Sequence, residues 1–103
     1  MITIVSMRGN NWPSLPWQVK VDRSSPLGNP FALSRTCTRA ESCSKYLDWF
    51  HAEVVQGNPA VLKELHRLFE LYKVHDKLEL YCWCAPKQCH AETIKSYLED
   101  LLT

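Results

Sequence analysis

β-Branched residues crowd the start of the chain. Ile2, Thr3, Ile4 and Val5 form a short apolar run, and such a run over Ile2–Ser6 predicts a buried first strand. Residues 10–17 place Pro13 and Pro16 between Trp12 and Trp17 and predict a loop, whose two tryptophans are expected to pack into the core, the alternatives being a roof over the site or a partner surface. Over residues 18–22 apolar and polar positions alternate, with Val19 and Val21 on one face, which predicts a second strand or extended segment. Pro26, Gly28 and Pro30 exclude a regular helix from residues 23–37. A loop this long in a small domain is usually functional or disordered, and Leu27, Phe31 and Leu33 supply anchors that favour order.

The pattern then turns helical. Thr38 followed by Glu41 is a capping box, and Ala40, Cys43, Leu47, Phe50 and Val54 recur at helical spacing to about Val55. Gly57 ends that helix. Asn58 and Pro59 cap and open a second, with Leu62, Leu65, Phe69 and Tyr72 as its buried stripe and His75 and Asp76 at its close. Residues 78–83 predict a third strand. Residues 92–102 predict a last helix, with Ile94, Tyr97, Leu98 and Leu101 inward. The order β-β-α-α-β-α describes one α/β domain over residues 1–103. Its expected form is a small, open, mainly parallel, Rossmann-like sheet of about three strands with helices packed on it, in two layers or three. In parallel sheets ligands bind at the loops beyond the strand C-termini. The loop after strand two begins at Arg23 and the loop after strand three near Cys84, so parallel strands would open both on one edge.

Composition narrows the class. The net charge is +1, from 12 basic and 11 acidic residues, which gives no strong nucleic-acid signal. No apolar run approaches the roughly 18 residues a membrane span needs, and the N-terminal stretch lacks the basic region of a signal peptide. A cytoplasmic location is therefore expected. There are five cysteines, an odd number that argues against a disulfide framework; in a reducing compartment they are expected to be thiols or metal ligands.

Three of them lie within residues 82–90, Cys-Trp-Cys-Ala-Pro-Lys-Gln-Cys-His. Cys82 and Cys84, two apart in a strand, would share a face. Cys89 and His90 fall at the start of the last helix, where unpaired N–H groups and a partial positive charge favour a thiolate or bind an anion. Three readings stand: buried structural cysteines; a reactive or ligand-contacting pair, with Cys89 as nucleophile and His90 as acid or base; and a zinc site made by Cys82, Cys84, Cys89 and His90, at spacings compressed relative to zinc fingers.

In residues 23–31, Arg23 offers a planar fork for phosphate or carboxylate, Ser24 and Ser25 offer hydroxyls, Gly28 permits a positive φ and Asn29 can bond its own backbone or a ligand edge. The same residues also suit a tight buried turn, with Arg23 paired to Asp22 or Glu41. His51, His66 and His75 are expected on solvated helix surfaces or at a helix end.

The chain resembles a small domain-of-unknown-function family common in bacteria and their phages. The marks are Arg-Ser-x-x-Gly-Asn-Pro-Phe, here Arg23, Ser24, Gly28, Asn29, Pro30 and Phe31 with one residue more between Ser24 and Gly28, and Cys-x-Cys-x-Pro-x-x-Cys-His, here Cys82, Cys84, Pro86, Cys89 and His90. A Tyr-x-x-Trp stretch matches at Tyr46 and Trp49. This chain has Asp22 and Ala91 where the family tends to have glycine. The resemblance implies a bacterial or phage origin and no known reaction. The expectation is a polar pocket recognising, and in one version transforming, a nucleotide-like or sugar-phosphate ligand, with Arg23, Ser24, Ser25, Gly28 and Asn29 holding the small anion. The alternatives are a non-catalytic phage factor that binds a host protein or sequesters a nucleotide signal, and a zinc-stabilised interaction module.

Overall fold

The structure, a computed structural model, describes residues 1–9, 11–83 and 87–101. Along the chain run β1 (Ile2–Ser6), β2 (Gln18–Lys20), α1 (Arg39–Gln56), α2 (Pro59–His75), β3 (Leu78–Cys82) and α3 (Ala91–Asp100). The sheet has three strands in the order β1-β3-β2, and both pairings are parallel, with Ile4 opposite Leu80 and Val19 opposite the same residue on the other side. β3 is thus the central strand, and β2 reaches it through a crossover containing α1 and α2.

Alternation along the strands separates the two faces. Ile2, Val19, Val21, Leu78, Leu80 and Cys82 belong to one buried cluster with Tyr46 and Phe50 of α1, Val61, Leu65 and Leu68 of α2, and Ile94 and Leu98 of α3. All three helices therefore bury their apolar sides against the same face, giving two layers. The other face carries Thr3, Gln18, Lys20 and Glu79, and Gln18 Nε2 donates to Glu79 Oε1 at 2.8 Å there.

Local chemistry sets the helix limits. The Thr38 hydroxyl accepts from the Glu41 amide at 3.2 Å and donates to the Glu41 carboxylate at 3.1 Å. Gly57 closes α1 in the left-handed region at φ 77°, its N–H turned back to the carbonyls of Glu53 and Val54. The Asn58 side chain then accepts from the amides of Ala60 and Val61, with Pro59 in the first turn of α2.

Several expectations change. β2 stops at Lys20 and β3 at Cys82, each shorter than predicted. On α1 the buried positions are Ser42, Tyr46 and Phe50, while Leu47 and Ala40 face outward; the helix is rotated so that hydroxyl-tipped side chains meet the loop beside it. On α2 the buried set is Val61, Leu65 and Leu68, and Leu62 is exposed. Leu101 is exposed at the end of α3, and Leu102 lies outside the described residues. Trp12, expected in the core, is 47% exposed and stands edge-on to Trp83 with ring centroids 5.5 Å apart. Trp17 is half-buried beneath the Lys77 ammonium, 4.0 Å from its ring centroid.

Candidate functional site

Because all three strands run the same way, their C-terminal ends gather on one edge. The ladder continues slightly past each strand: Val21 N–H donates to the Tyr81 carbonyl and Met7 N–H to the Cys82 carbonyl, both at 2.9 Å. Arg8 Nε then donates to the Trp83 carbonyl at 3.1 Å. Segments distant in sequence are thereby stitched together, with Asp22 and Arg23 leaving β2 beside Trp83 leaving β3.

Residues 22–31 form a compact turn whose polar groups are mostly spent inside it. Asp22 Oδ1 accepts from the Ser24 hydroxyl and, at 3.0 Å, from the Ser24 amide, and Asp22 Oδ2 accepts from the Trp83 indole N–H at 3.3 Å. Partial burial would raise the Asp22 pKa, but these bonds, with Lys20 nearby, outweigh it and hold the carboxyl below its usual value. Ser25 Oγ accepts from the Leu27 amide at 3.1 Å.

Gly28 is needed here for space rather than for a positive φ, since the glycines with positive φ are Gly9 and Gly57. A Cβ at Gly28 would stand 2.2 Å from the Asp22 carbonyl oxygen and 2.6 Å from the Arg23 Cα. The loop is folded onto the end of β2 that tightly.

α1 holds the rest of this loop. Asn29 Nδ2 donates to Ser42 Oγ at 2.9 Å, Ser42 Oγ donates to the Phe31 carbonyl at 2.6 Å, and the Phe31 amide donates to Asn29 Oδ1 at 2.9 Å. One turn further on, the buried Tyr46 hydroxyl donates to the Leu27 carbonyl at 2.7 Å. Burial first, and then the charge Cys89 carries when ionised, raise the Tyr46 phenol well above its usual pKa.

Cys89 and His90 sit immediately before α3. Glu92 reaches back to accept the Cys89 amide at 3.2 Å, the carboxylate half of a capping box. His90 is buried, edge-on to Tyr46 with centroids 5.0 Å apart. Its Nε2 lies 2.5 Å from the Val21 carbonyl oxygen. A carbonyl can only accept, so Nε2 carries the proton. In the neutral ring Nδ1 is then an acceptor, and it lies 3.5 Å from Cys89 Sγ. Thiol, imidazole and main-chain carbonyl thus form one connected series.

These features share one cavity of about 370 Å³. Arg23, Asn29, Cys89 and His90, four of the residues singled out by sequence, line it; Ser24, Ser25 and Gly28 do not, and act within the turn. Sequence reasoning missed Arg39, Ser42, Asp22 and Trp83 in the lining. Arg39, Ser42 and Cys43 fall three and four residues apart on one helix face, so the phase of α1, once fixed by Tyr46, would have found them. Among the described residues the ion pairs are Arg67–Glu64 and Lys73–Glu70, and neither Arg23 nor Arg39 is in one. Phe31, Leu33 and Trp83 add an apolar wall.

The expected zinc set Cys82, Cys84, Cys89 and His90 is described only in part. Among the described residues no group of three or more His, Cys, Asp or Glu is arranged to hold a metal ion, and Cys84 of the expected ligand set lies outside them.

A family model for a domain of unknown function, DUF4326, matches residues 4–100. The chain belongs to the DUF4326 family. No curated protein and no solved structure matches it. Both the turn at residues 22–31 and the segment at Cys89 and His90 lie inside the matched span. Among the described residues no helix is long and apolar enough to cross a membrane.

Proposed function

We propose that this DUF4326 chain binds a small anionic ligand of the nucleotide or sugar-phosphate kind at the sheet's C-terminal edge, with Cys89 as nucleophile and His90 as its proton acceptor. The observation that carries the reading is the single cavity whose lining holds Cys89 and His90 together with Arg23 and Arg39, two guanidiniums in no ion pair among the described residues. A pocket of about 370 Å³ is at the small end of the usual range for ligand sites. Arginine forks suit phosphate oxygens, and Phe31 and Trp83 offer apolar surface to a base or sugar face. Asn29 contributes through its position in the wall, with its amide held by Ser42. The strand-end location is the one expected of ligand sites in parallel, Rossmann-like sheets.

The test is calorimetric titration with inorganic phosphate and with a nucleoside 5′-monophosphate, on wild type, Arg23→Ala and Arg39→Ala. A charge-assisted hydrogen bond contributes about 1.5–3 kcal/mol, so each variant is expected to bind about 10–100-fold more weakly. Bound ligand is also expected to slow alkylation of Cys89 by iodoacetamide. Equal affinity in all three proteins, or no binding by wild type, overturns the reading.

A second reading, a non-catalytic factor that grips a protein partner, draws on the exposed Trp12–Trp83 pair, of which Trp83 also lines the cavity. It predicts that Cys89 is alkylated no faster than a model thiol at neutral pH, whereas a nucleophilic Cys89 reacts faster.

A further inference from the structure

Cys82 takes no part in the chemistry proposed above, yet its sulfur touches that of the nucleophile. It is the last residue of β3, fully buried, and its Sγ lies 3.0 Å from Cys89 Sγ. Two elements hold the pair together. β3 is fixed on both sides by parallel partners, and the Met7 N–H binds the Cys82 carbonyl. Cys89 is fixed by Glu92 on its amide and by the neighbouring imidazole, itself anchored on Val21. A disulfide needs sulfurs about 2.05 Å apart, so closing this pair calls for a movement of about 1 Å. Cys89 also lines the cavity, which gives a small oxidant a way to it.

We propose that Cys89 and Cys82 form a peroxide-responsive dithiol, in which Cys89 is the oxidised thiol and Cys82 resolves it. The Cys89 proton passes to His90 Nδ1, and the thiolate attacks one oxygen of hydrogen peroxide. The O–O bond breaks, and the leaving hydroxide takes the proton from the imidazolium to become water. Cys89 is now a sulfenic acid. The Cys82 sulfur attacks the Cys89 sulfur, the S–O bond breaks, and the departing hydroxide leaves as a second water with the Cys82 proton. Two thiols have lost two protons and two electrons, and one peroxide has become two waters. The disulfide occupies the nucleophile, so oxidation closes the site reversibly and spares Cys89 the irreversible sulfinic state. Nothing in this step requires the anionic ligand, and it stands or falls separately from the binding reading.

The experiment treats the intact protein with a few equivalents of hydrogen peroxide, blocks remaining thiols, digests with trypsin without reduction and measures peptide masses. Cleavage after Lys77 and Lys87 puts Cys82 and Cys84 on one peptide and Cys89 on the next. Wild type is expected to give these two peptides joined, lighter by two hydrogens than their sum, and to release them on reduction. Cys84→Ser is expected to retain the link. Cys82→Ser is expected to lose it and to accumulate sulfenic or sulfinic Cys89 instead. Thermal midpoints of both variants identify any that fail to fold, and fragmentation of the joined wild-type peptide reads the bonded cysteine without a variant. A link from Cys84 to Cys89, or no link in wild type, overturns the proposal.

Discussion

Replacing Gly28 by alanine tests the packing on which the site is built. The added methyl carbon would lie 2.2 Å from the Asp22 carbonyl oxygen, 2.6 Å from the Arg23 Cα and 2.7 Å from the Asp22 carbonyl carbon. An ordinary carbon–oxygen contact is longer than 3 Å, so the two backbones must part by about 1 Å. All three obstructing atoms are main chain, and none can rotate away. Overpacking of this kind costs about 1–3 kcal/mol, and the movement also pulls on the Ser25 amide bond to Asp22 and on the Gly28 amide bond to Ser25, both 2.9 Å. We expect a loss of about 2–3 kcal/mol, read as a fall of about 10–20 °C in the thermal midpoint of a domain this size. The comparison is Gly57→Ala. Gly57 has a left-handed φ of 77° but nothing within 4 Å of an added Cβ, so its cost is only the conformational one, about 1 kcal/mol. Urea unfolding followed by tryptophan fluorescence ranks the two. If Gly57→Ala proves the more destabilising, Gly28 is not a close-approach position and the account of the turn is wrong.

Tyr46→Phe removes the donor to the buried Leu27 carbonyl and should cost about 1–3 kcal/mol in urea unfolding; an unchanged midpoint would mean that carbonyl finds another donor. The same residue governs the alkaline limb. Its folded pKa is raised above the usual 10.0, so its contribution is whole below pH 10 and is lost as the pH climbs beyond; Tyr46→Phe should flatten that loss in pH-dependent melts. Asp22 acts at the other end. Its folded pKa is lowered from 3.8, so its contribution is present above about pH 4 and lost as the pH falls through the depressed value. Wild type should therefore lose more stability between pH 4 and pH 2 than Asp22→Asn, and parallel curves would count against the carboxylate's role. Ser42→Ala strips the donor from the Phe31 carbonyl and the acceptor from Asn29; a loss of about 1–3 kcal/mol is expected, and equal unfolding curves would show that the loop is not anchored there.

Local signals were easy to read in this chain because each involves only a few neighbours. Thr38 with Glu41, Gly57, and Asn58 with Pro59 mark helix ends through bonds that span three or four residues, and the ends fall within a residue or two of expectation. The phase of α1 was harder. Apolarity alone favoured a stripe through Leu47, whereas the helix turns Ser42 and Tyr46 inward because the neighbouring loop presents carbonyls at Phe31 and Leu27 for their hydroxyls. A hydroxyl reads as outward-facing until the acceptor it will meet is known. That error of phase hid Arg39. For the site, Arg23, Asn29, Cys89 and His90 stood out as chemistry-bearing residues in punctuated segments, and parallel strands brought the two segments to one edge. Gly28 was singled out correctly as unusual but for the wrong reason, since a close approach between distant atoms leaves no trace in local sequence.

One consequence follows from the contact between His90 and Val21. Imidazoles beside reactive thiols are commonly steered by an Asn or Asp side chain, which mutation can delete. Here the steering group is a peptide oxygen just past the end of β2, and every amino acid supplies the same atom. Under the proposed function, a side-chain scan of this protein would therefore find a cysteine and a histidine and miss their third companion. Only a change that shifts the β2 main chain itself, such as a slip in its pairing with β3, would leave the ring without its guide.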